Sequence, residues 1–305
     1  MSAPELVVAG NLLVDDIVTR EGQTHMGEAG GGALYVTLAA SLWHVRVGLV
    51  SRLGTDYPKR ALDTLRARGV DLDGVRKLDG PSLRSWLLYE PQGRQIVHQV
   101  GTANHTQVSP DIGDIPPRFL GANVIHICPT PLRDQRALVT ALAESDALLS
   151  LDPHETVREN NLEAWRELLA NIDLFFLSHE ELRLNEAATD PRAALRRLEA
   201  GERPGVIALK CAEAGGLLFD TGDARFVEWK SRATRVVDPT GAGDAFAGGF
   251  LAGWLRQEPL ERALRRGVVS ASFAIESWGP QALAAATPQS AQARMHEWFG
   301  VEANA

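Results

Sequence analysis

The feature that most constrains the fold of this chain is a regular alternation of short apolar runs and longer amphipathic segments after residue 120. Apolar runs are centred on ANVIHICP, ALLSLDP, IDLFFLS and VIALKC, and the segments between them have the length and apolar spacing of helices. Strands that alternate with helices form βαβ units, whose parallel sheet is covered by helices on both faces. The sequence therefore predicts an α/β fold with a mainly parallel central sheet.

Two regions depart from this alternation. Residues 13–27 and 82–101 have the character of strands but are not followed by helices, and SLRSWLLYE-PQG-RQIVHQVG is typical of a hairpin. Such strands predict a small second sheet outside the central one. A lid that excludes water from a reacting centre is the functional interpretation, and a β-extension without a role is the alternative. Because no linker-like composition divides the chain, residues 1–305 are expected to form one domain.

Charge and composition exclude several classes of function. The formal net charge of −8 does not fit a nucleic-acid-binding surface, which is usually basic. The N-terminal segment MSAPELVVAG lacks the basic region and long apolar run of a signal peptide, and no apolar run is long enough for a membrane-spanning helix. We therefore expect a cytoplasmic protein that has neither nucleic acid nor membrane as a partner.

The stretch DPTGAGDAFAGGF, residues 238–250, indicates an anion-binding site. ATRVVD predicts a strand that ends at Asp238, and the apolar segment predicts a helix that begins at about Asp244. The glycines between them precede a helix N-terminus, where free backbone N–H groups and the positive end of the helix dipole favour an anion. Gly241 and Gly243 allow the backbone to approach a phosphate closely. The alternative role for Asp244 is a helix cap.

The longer segment VVDPTGAGDAFAGGFLAG resembles the C-terminal signature of the ribokinase (PfkB) family of carbohydrate and nucleoside kinases. In chain order, VVAGNLLVDDIV, GGGALYVTLAASL, GTANHTQVSP, DLFFLSHEEL, VIALKCAEAGGLL and GVVSASFAIESWG are similar to further segments of the family. The resemblance therefore covers nearly the whole chain. It implies a ribokinase-like three-layer αβα sandwich with a mainly parallel central sheet and a small β-sheet lid.

The resemblance implies phosphoryl transfer from ATP, with Mg²⁺, to a hydroxyl of a small sugar, polyol or nucleoside. It makes Asp244 the base and the backbone of Gly241, Ala242 and Gly243 the anion hole. The residues that it implies for binding the acceptor are Asp15, Gly31, Gly32, Tyr35, Asn104 and Asp244. Those implied for binding the nucleotide are Ser178, Lys210, Ala212, Gly215, Gly241 and Gly243. Those implied for binding metal ions are Glu181 for Mg²⁺, and Asp238 and Thr240 for a potassium-type cation.

Three positions depart from the family pattern. Tyr35 replaces an asparagine that grips the sugar, Ser178 replaces the asparagine of Asn-x-x-Glu, and Ala212 replaces a glycine. These departures leave open a binding protein on the same scaffold that senses its ligand without turnover. They also leave the acceptor open among ribose, fructose, deoxy-sugar acids, inositols and nucleosides.

Other polar residues carry weaker indications. Asp152 ends a strand and is interpreted as an acid that starts a loop before Pro153, with a role near phosphate or magnesium as the alternative. Arg94 and His98 of the hairpin are interpreted mainly as solvent-facing, with contact to the substrate as the alternative. SWLLYE has large apolar side chains on both faces of a strand. We therefore expect a homodimer joined through the lids, with Trp86 or Tyr89 in the contact. The alternative is a monomer whose lid packs only on its own domain.

Overall fold

The structure, a computed structural model, describes residues 2–90, 93–232 and 235–300. Its strands are β1 (Leu6–Ala9), β2 (Leu13–Val18), β3 (Thr24–Gly30), β4 (Val47–Leu53), β5 (Asp71–Lys77), β6 (Arg84–Glu90), β7 (Gly93–His98), β8 (Val124–Ile127), β9 (Leu148–Leu151), β10 (Val157–Arg158), β11 (Leu174–Ser178), β12 (Leu182–Arg183), β13 (Val206–Lys210), β14 (Gly216–Asp220) and β15 (Arg225–Trp229). Its α-helices are α1 (Gly32–Ser41), α2 (Lys59–Ala67), α3 (His105–Val108), α4 (Leu132–Leu142), α5 (Leu162–Leu169), α6 (Pro191–Arg196), α7 (Ala242–Leu255), α8 (Leu260–Ala274), α9 (Gln281–Ala285) and α10 (Pro288–Phe299). None of the helices in these described ranges is long and apolar enough to cross a membrane.

The central sheet has the strand order β15-β14-β13-β11-β9-β8-β1-β4-β5. Every neighbouring pair from β13 to β5 is parallel, and β14 and β15 extend the sheet as an antiparallel edge. The mainly parallel sheet expected from the alternation of strands and helices is confirmed. In such a sheet, ligands bind beyond the carboxyl ends of the strands.

Side chains on the two faces of the sheet enter two separate apolar cores. Leu174 and Phe176 of β11 pack on one side with α1, α7 and α8, whereas Phe175 and Leu177 pack on the other side with α4, α5 and α6. This division follows from the period of two along a strand, since successive side chains point to opposite faces. The expected three-layer αβα sandwich is confirmed.

The two regions that depart from the alternation form a separate four-stranded sheet, with the order β3-β2-β6-β7. β2 pairs antiparallel with β3 and parallel with β6, and β6 pairs antiparallel with β7 in the expected hairpin. The PQ dipeptide of its turn lies outside the described residues. We call this four-stranded sheet the lid sheet.

The predicted strand ATRVVD is wrong for its described part. Residues 235–238 are not in a strand, Val236 is 59% exposed, and the N–H groups of Val237 and Asp238 donate to the Ile275 carbonyl at 2.8 and 3.3 Å. Residues 233 and 234 lie outside the described residues. Apolar spacing alone suggested a strand here, but the loop after α8 supplies the hydrogen-bond partner instead of a neighbouring strand.

Candidate active site

The glycine-rich stretch forms the N-terminal turn of α7. Gly241 is the N-cap residue in the left-handed region, with φ of 75°, and a Cβ there would collide with the Tyr35 ring. Only glycine fits such a position without strain. The helix begins at Ala242, two residues earlier than predicted, so Asp244 lies in its first turn and the N-cap position carries no side-chain hydrogen bond. Asp244 is therefore not the cap of this helix.

Asp238 holds the loop that leads into α7. Its Oδ1 accepts hydrogen bonds from the backbone N–H of Thr240 at 3.0 Å and from the Thr240 hydroxyl at 2.6 Å, and its Oδ2 accepts the Gly279 N–H at 2.9 Å. The predicted cation residues Asp238 and Thr240 are thus brought together, facing the loop that contains Gly279. Their oxygens already have protein partners, which order the glycine loop.

Asp244 is almost enclosed between α7 and the start of α1. A Cβ on Gly32 would lie 2.6 Å from its Oδ1, so the glycine at the start of α1 makes room for this carboxylate. Burial raises the pKa of Asp244, the positive charges of Lys210 and Arg94 lower it, and the negative charge of Glu181 raises it. A carboxylate with a raised pKa is a stronger proton acceptor than an ordinary aspartate.

Lys210 and Asp152 form a buried ion pair beside the helix N-terminus. Lys210 Nζ lies 2.5 Å from Asp152 Oδ2, and it is 3.2 Å from the position that a Cβ on Gly243 would occupy. Burial raises the pKa of Asp152, although the charge of Lys210 opposes the increase. This ion pair favours the alternative interpretation of Asp152, a role in the site, because the carboxylate orients an ammonium group toward the glycine turn. Its position after a central parallel strand was the signal in the sequence.

Asp15 forms the facing wall of the site. It is 4% exposed, and a side chain at Gly30 would collide with its carboxylate. Burial raises the pKa of Asp15 to about 7, with Arg94 lowering it and Asp238 raising it. Gly31, with φ of 101°, packs against the Asn11 backbone and turns the chain into α1. Asp15, Gly31 and Asp244 therefore lie in one region, as the sequence predicted.

Tyr35 lies beneath the glycine turn rather than at an open surface. It is 1% exposed, its ring lies against Gly241, and its hydroxyl has no hydrogen-bond partner within the described part of the chain. Burial raises the pKa of Tyr35 well above its usual value, and the charges of Asp15 and Asp238 add to the increase. The aromatic ring therefore supports the left-handed turn from below.

Asn104 has a local structural role. Its side-chain oxygen accepts the Gln107 N–H at 3.0 Å and caps the single turn of α3. The neighbouring His105 instead reaches toward the site, where its Nδ1 lies 3.1 Å from Asn11 Nδ2. Asn11 is 3% exposed and was not predicted as a site residue, although it follows β1 directly.

The lid sheet contributes two further groups to the site, for which the sequence mainly predicted other roles. The Tyr89 hydroxyl lies 2.6 Å from the Thr240 hydroxyl and 3.4 Å from Asp238 Oδ1. Arg94, opposite Tyr89 in the β6–β7 pair, hydrogen-bonds that hydroxyl and interacts with Asp15 and Asp244, although the residue as a whole is exposed. The Tyr89 side chain therefore points into the site of its own chain, which leaves Trp86 as the better candidate of the two residues expected in a dimer contact.

The remaining nucleotide-side residues lie at the ends of β11 and β13. Glu181 Oε2 accepts the Ser178 N–H at 2.6 Å, and the negative charge of Glu181 acts on Lys210 and Asp152. In the turn after Lys210, Ala212 takes a φ of 49° where the family has glycine.

Gly215, in the same turn, has a φ of 92°, and a Cβ there would collide with the Trp229 carbonyl. Trp278, near the other end of the site, stacks on His25 of β3 at 5.4 Å between ring centroids. This aromatic pair joins the lid sheet to the loop after α8.

Comparison with known proteins assigns the chain to a family. Residues 6–287 match the model described as pfkB family carbohydrate kinase. A cytidine kinase from Thermococcus kodakarensis is 31% identical over 280 residues, which cover 90% of this chain and 97% of that protein.

Solved structures agree with this fold. A Burkholderia thailandensis nucleoside kinase in complex with inosine has a TM-score of 0.75 at 19% identity, with 97% of this chain and 99% of that chain covered. An Arabidopsis thaliana ribokinase complexed with ribose and ATP has a TM-score of 0.72 at 20% identity, with 96% and 99% covered. The chain belongs to the pfkB family of carbohydrate kinases. It is a kinase that uses ATP and an alcohol group as acceptor.

Proposed function

We propose that this protein transfers the terminal phosphoryl group of ATP to a hydroxyl of a small sugar, polyol or nucleoside, with Asp244 as the base. The observation that carries the proposal is the partly buried Asp244 carboxylate, placed between the glycine turn of α7 and the wall formed by Asp15 and Gly32. The names of the relatives, which include a cytidine kinase and a ribokinase bound to ribose and ATP, support this class of acceptor and donor.

Asp244 accepts the proton of the acceptor hydroxyl as that oxygen forms its bond to phosphorus. The bond between phosphorus and the oxygen of the leaving ADP breaks in the same step, so the products are ADP and the phosphorylated acceptor. Because burial raises the pKa of Asp244, its carboxylate holds the proton more strongly than an exposed aspartate would.

The N-terminal turn of α7 stabilises the transferred group. The backbone N–H groups of Gly241, Ala242 and Gly243 lie at the start of α7 and would donate to the transferred phosphoryl group. The helix dipole favours negative charge at this end of the helix. The Ala242 N–H also donates to the Pro239 carbonyl at 3.3 Å, so Gly241 and Gly243 are the stronger donors to a phosphoryl oxygen. Lys210, held by Asp152, adds a positive charge on the same side.

Residues at the ends of β11 and β13 fit the nucleotide and its metal. We assign Ser178, Lys210, Ala212 and Gly215 to ATP, and the Glu181 carboxylate, whose charge reaches Lys210 and Asp244, to Mg²⁺. Magnesium prefers carboxylate and phosphate oxygens and neutralises the phosphate charge when bound.

On the acceptor side we assign Asp15, Gly31, Gly32, Tyr35 and Asn104 with Asp244. Asp15 and the two glycines form the wall that faces the base, Tyr35 holds the glycine turn from beneath, and the Asn104 amide nitrogen is the part of that side chain not used in capping α3.

A potassium-type cation at Asp238 and Thr240 is a further part of the proposal. Such an ion would reinforce the loop that orients the glycine turn, which Asp238 already ties to Gly279. Rates in potassium salts are expected to exceed those in tetramethylammonium salts, and equal rates would contradict a cation site.

We infer that residues 1–305 form one domain in which the lid sheet closes over the acceptor. β2 and β3 lie between β1 and α1 in the chain, and the Tyr89 and Arg94 side chains reach the site from this sheet. A cytoplasmic location stays the expectation from the sequence.

Acceptor-dependent formation of ADP tests the proposed function. The purified chain, with ATP and Mg²⁺, is incubated with ribose, fructose, a deoxy-sugar acid, an inositol and several nucleosides. Turnover of at least one of them, abolished by omitting the acceptor, is expected. Tight binding of an acceptor with no ADP formed would instead identify a sensor.

A further inference from the structure

Three histidine side chains from different parts of the chain form a continuous cluster beside the site. The ring centroids of His98 and His105 are 4.7 Å apart with an edge-to-face angle of 77°, and those of His105 and His154 are 5.0 Å apart at 49°. His98 ends β7 of the lid sheet, His105 begins α3, and His154 follows β9. We call these three residues the imidazole cluster.

Hydrogen bonds attach the cluster to the acceptor wall. His105 Nδ1 lies 3.1 Å from Asn11 Nδ2, and the Asn11 backbone packs against Gly31. His98 Nδ1 lies 2.8 Å from Ser85 Oγ, and Ser85 is paired with Asp15 between β6 and β2. A single residue, Asn11 or Ser85, therefore separates the imidazole cluster from Gly31 and Asp15, which we assign to the acceptor.

A cleft of about 490 Å³ opens along residues 98–106, which include two members of the imidazole cluster. Ligand sites in proteins commonly have volumes of about 300–1,000 Å³. The cleft is therefore large enough for a group beyond a single pentose ring, and it carries aromatic faces that a simple sugar would leave unused.

The charge of the cluster favours an uncharged ligand group. Burial, together with the smaller effects of the neighbouring His154 and His98, lowers the pKa of His105 to about 4. At neutral pH this central imidazole is uncharged, so it offers a flat aromatic surface rather than a site for a carboxylate or phosphate.

Asn11 provides an independent indication of a ligand. Its Oδ1 is buried and has no hydrogen-bond partner within the described part of the chain, and the residue is 3% exposed. A buried acceptor without a partner is costly, and a hydroxyl or amino group of a ligand would satisfy it.

Resting on the proposed kinase activity, we propose that the acceptor is a nucleoside, with its neutral base against the imidazole cluster and its ribose between Asn11, Asp15 and Asp244. The three rings, the cleft beside them and the unpartnered Asn11 oxygen together match the two parts of such a molecule, a flat heteroaromatic ring joined to a hydroxyl-bearing sugar.

The test compares cytidine, uridine, adenosine and inosine with ribose, fructose, a deoxy-sugar acid and an inositol, by kcat/KM for ADP formation in the full chain. At least one nucleoside should exceed every free sugar by about tenfold or more. If a free sugar is the better acceptor, the inference is wrong and the proposed kinase stands. If no acceptor supports turnover, the proposed function itself is wrong.

Variants of the cluster separate base recognition from a structural role. His98→Ala and His105→Ala should each lower the nucleoside kcat/KM about tenfold, mainly through KM, because each variant removes an aromatic ring on which the nucleobase stacks. His98→Phe, which keeps the ring but loses the bond to Ser85, should restore most of the affinity. His296→Ala, an exposed histidine of α10, is the matched control.

Calorimetric titration of the best nucleoside into wild type and the same variants gives a readout without turnover. Weaker binding in His98→Ala, with recovery in His98→Phe, is expected. Unchanged binding in both alanine variants would overturn the inference. His98 is exposed, so its variants decide the question even if His105→Ala fails to fold.

Discussion

The two walls of the site are built in different ways. The wall formed by the central sheet and α7 holds its charges in fixed, buried pairs, as in Lys210 and Asp152, whose side chains are 13% and 3% exposed. The wall formed by the lid sheet instead has Arg94, which is exposed as a residue yet interacts with Asp15 and Asp244. The first wall is suited to stabilising charge during transfer, and the second to recognising an acceptor that must enter and leave.

The largest effect is expected from removing the base on the central wall. Asp244→Asn keeps the shape of the side chain but cannot accept the proton, so kcat should fall by about 10²–10⁴-fold while ATP still binds. Initial rates and nucleotide titration check this, with the exposed Asp63→Asn as control. More than about a tenth of the wild-type kcat would show that another group is the base.

Lys210→Met tests the electrostatics of the same wall. The variant should lose about 10²-fold in kcat, since a charge beside the transferred group is removed. Because the positive charge of Lys210 lowers the pKa of Asp244, its loss should raise that pKa and move the acid limb of the kcat/KM profile to higher pH.

The pH profile, rather than the rate alone, decides whether Lys210 acts on Asp244. Asp152→Asn is the companion variant, which keeps the ammonium but removes its partner. An acid limb that does not move in Lys210→Met would exclude this electrostatic role.

Asp15→Asn tests the cost of burying a carboxylate in the facing wall. Burial raises the folded pKa of Asp15 to about 7 from 3.8, so the unfolded chain ionises at lower pH than the folded protein. The wild type should therefore lose stability as pH rises through this window, and the amide should lose less, because Asp152 and Asp244, whose pKa values burial also raises, remain in it.

At pH 8 the free energy of unfolding of Asp15→Asn should exceed that of wild type by about 4 kcal/mol, and most of this difference should disappear near pH 4. Urea unfolding at both pH values measures it. A wild type that is the more stable of the two at pH 8 would show that Asp15 is stabilised by its partners instead.

Arg94→Met tests acceptor recognition by the lid wall. Removal of the guanidinium should raise KM for the acceptor about tenfold, the range of a hydrogen bond to a charged group, with a smaller change in KM for ATP. Exposed Arg60→Met is the control. A larger change for ATP than for the acceptor would place Arg94 with the nucleotide.

The smallest expected effect is a change of about twofold in the measured molecular mass, and it tests the outer face of the lid sheet. Trp86 and Val97 are paired on that face, where Val97 and Met26 are 47% and 48% exposed. We expect a homodimer through this face, which Trp86→Asp should convert to a monomer by light scattering. Ile112→Asp, at an equally exposed apolar site elsewhere, should remain a dimer. A wild type of monomer mass would rule the dimer out.

Local patterns in the sequence were sufficient for the framework and for the glycine turn. The apolar runs of β8, β9, β11 and β13 predicted the parallel sheet, because a strand buried on both faces must be apolar throughout. Gly241 and Asp244 could be recognised because a left-handed cap and a helix N-terminus depend on the types of residues that are adjacent in sequence.

Tertiary structure alone decided the partners of the charged and aromatic side chains. Asp152 meets Lys210 across 58 positions of the chain, Tyr89 meets Thr240 across 151, and His98 meets His105 only because β7 ends beside α3. No local pattern encodes such pairs, since each depends on which strands lie side by side and which face a side chain occupies. For the same reason residues 235–238 are not a strand: the Ile275 carbonyl, distant in sequence, accepts the N–H groups of Val237 and Asp238.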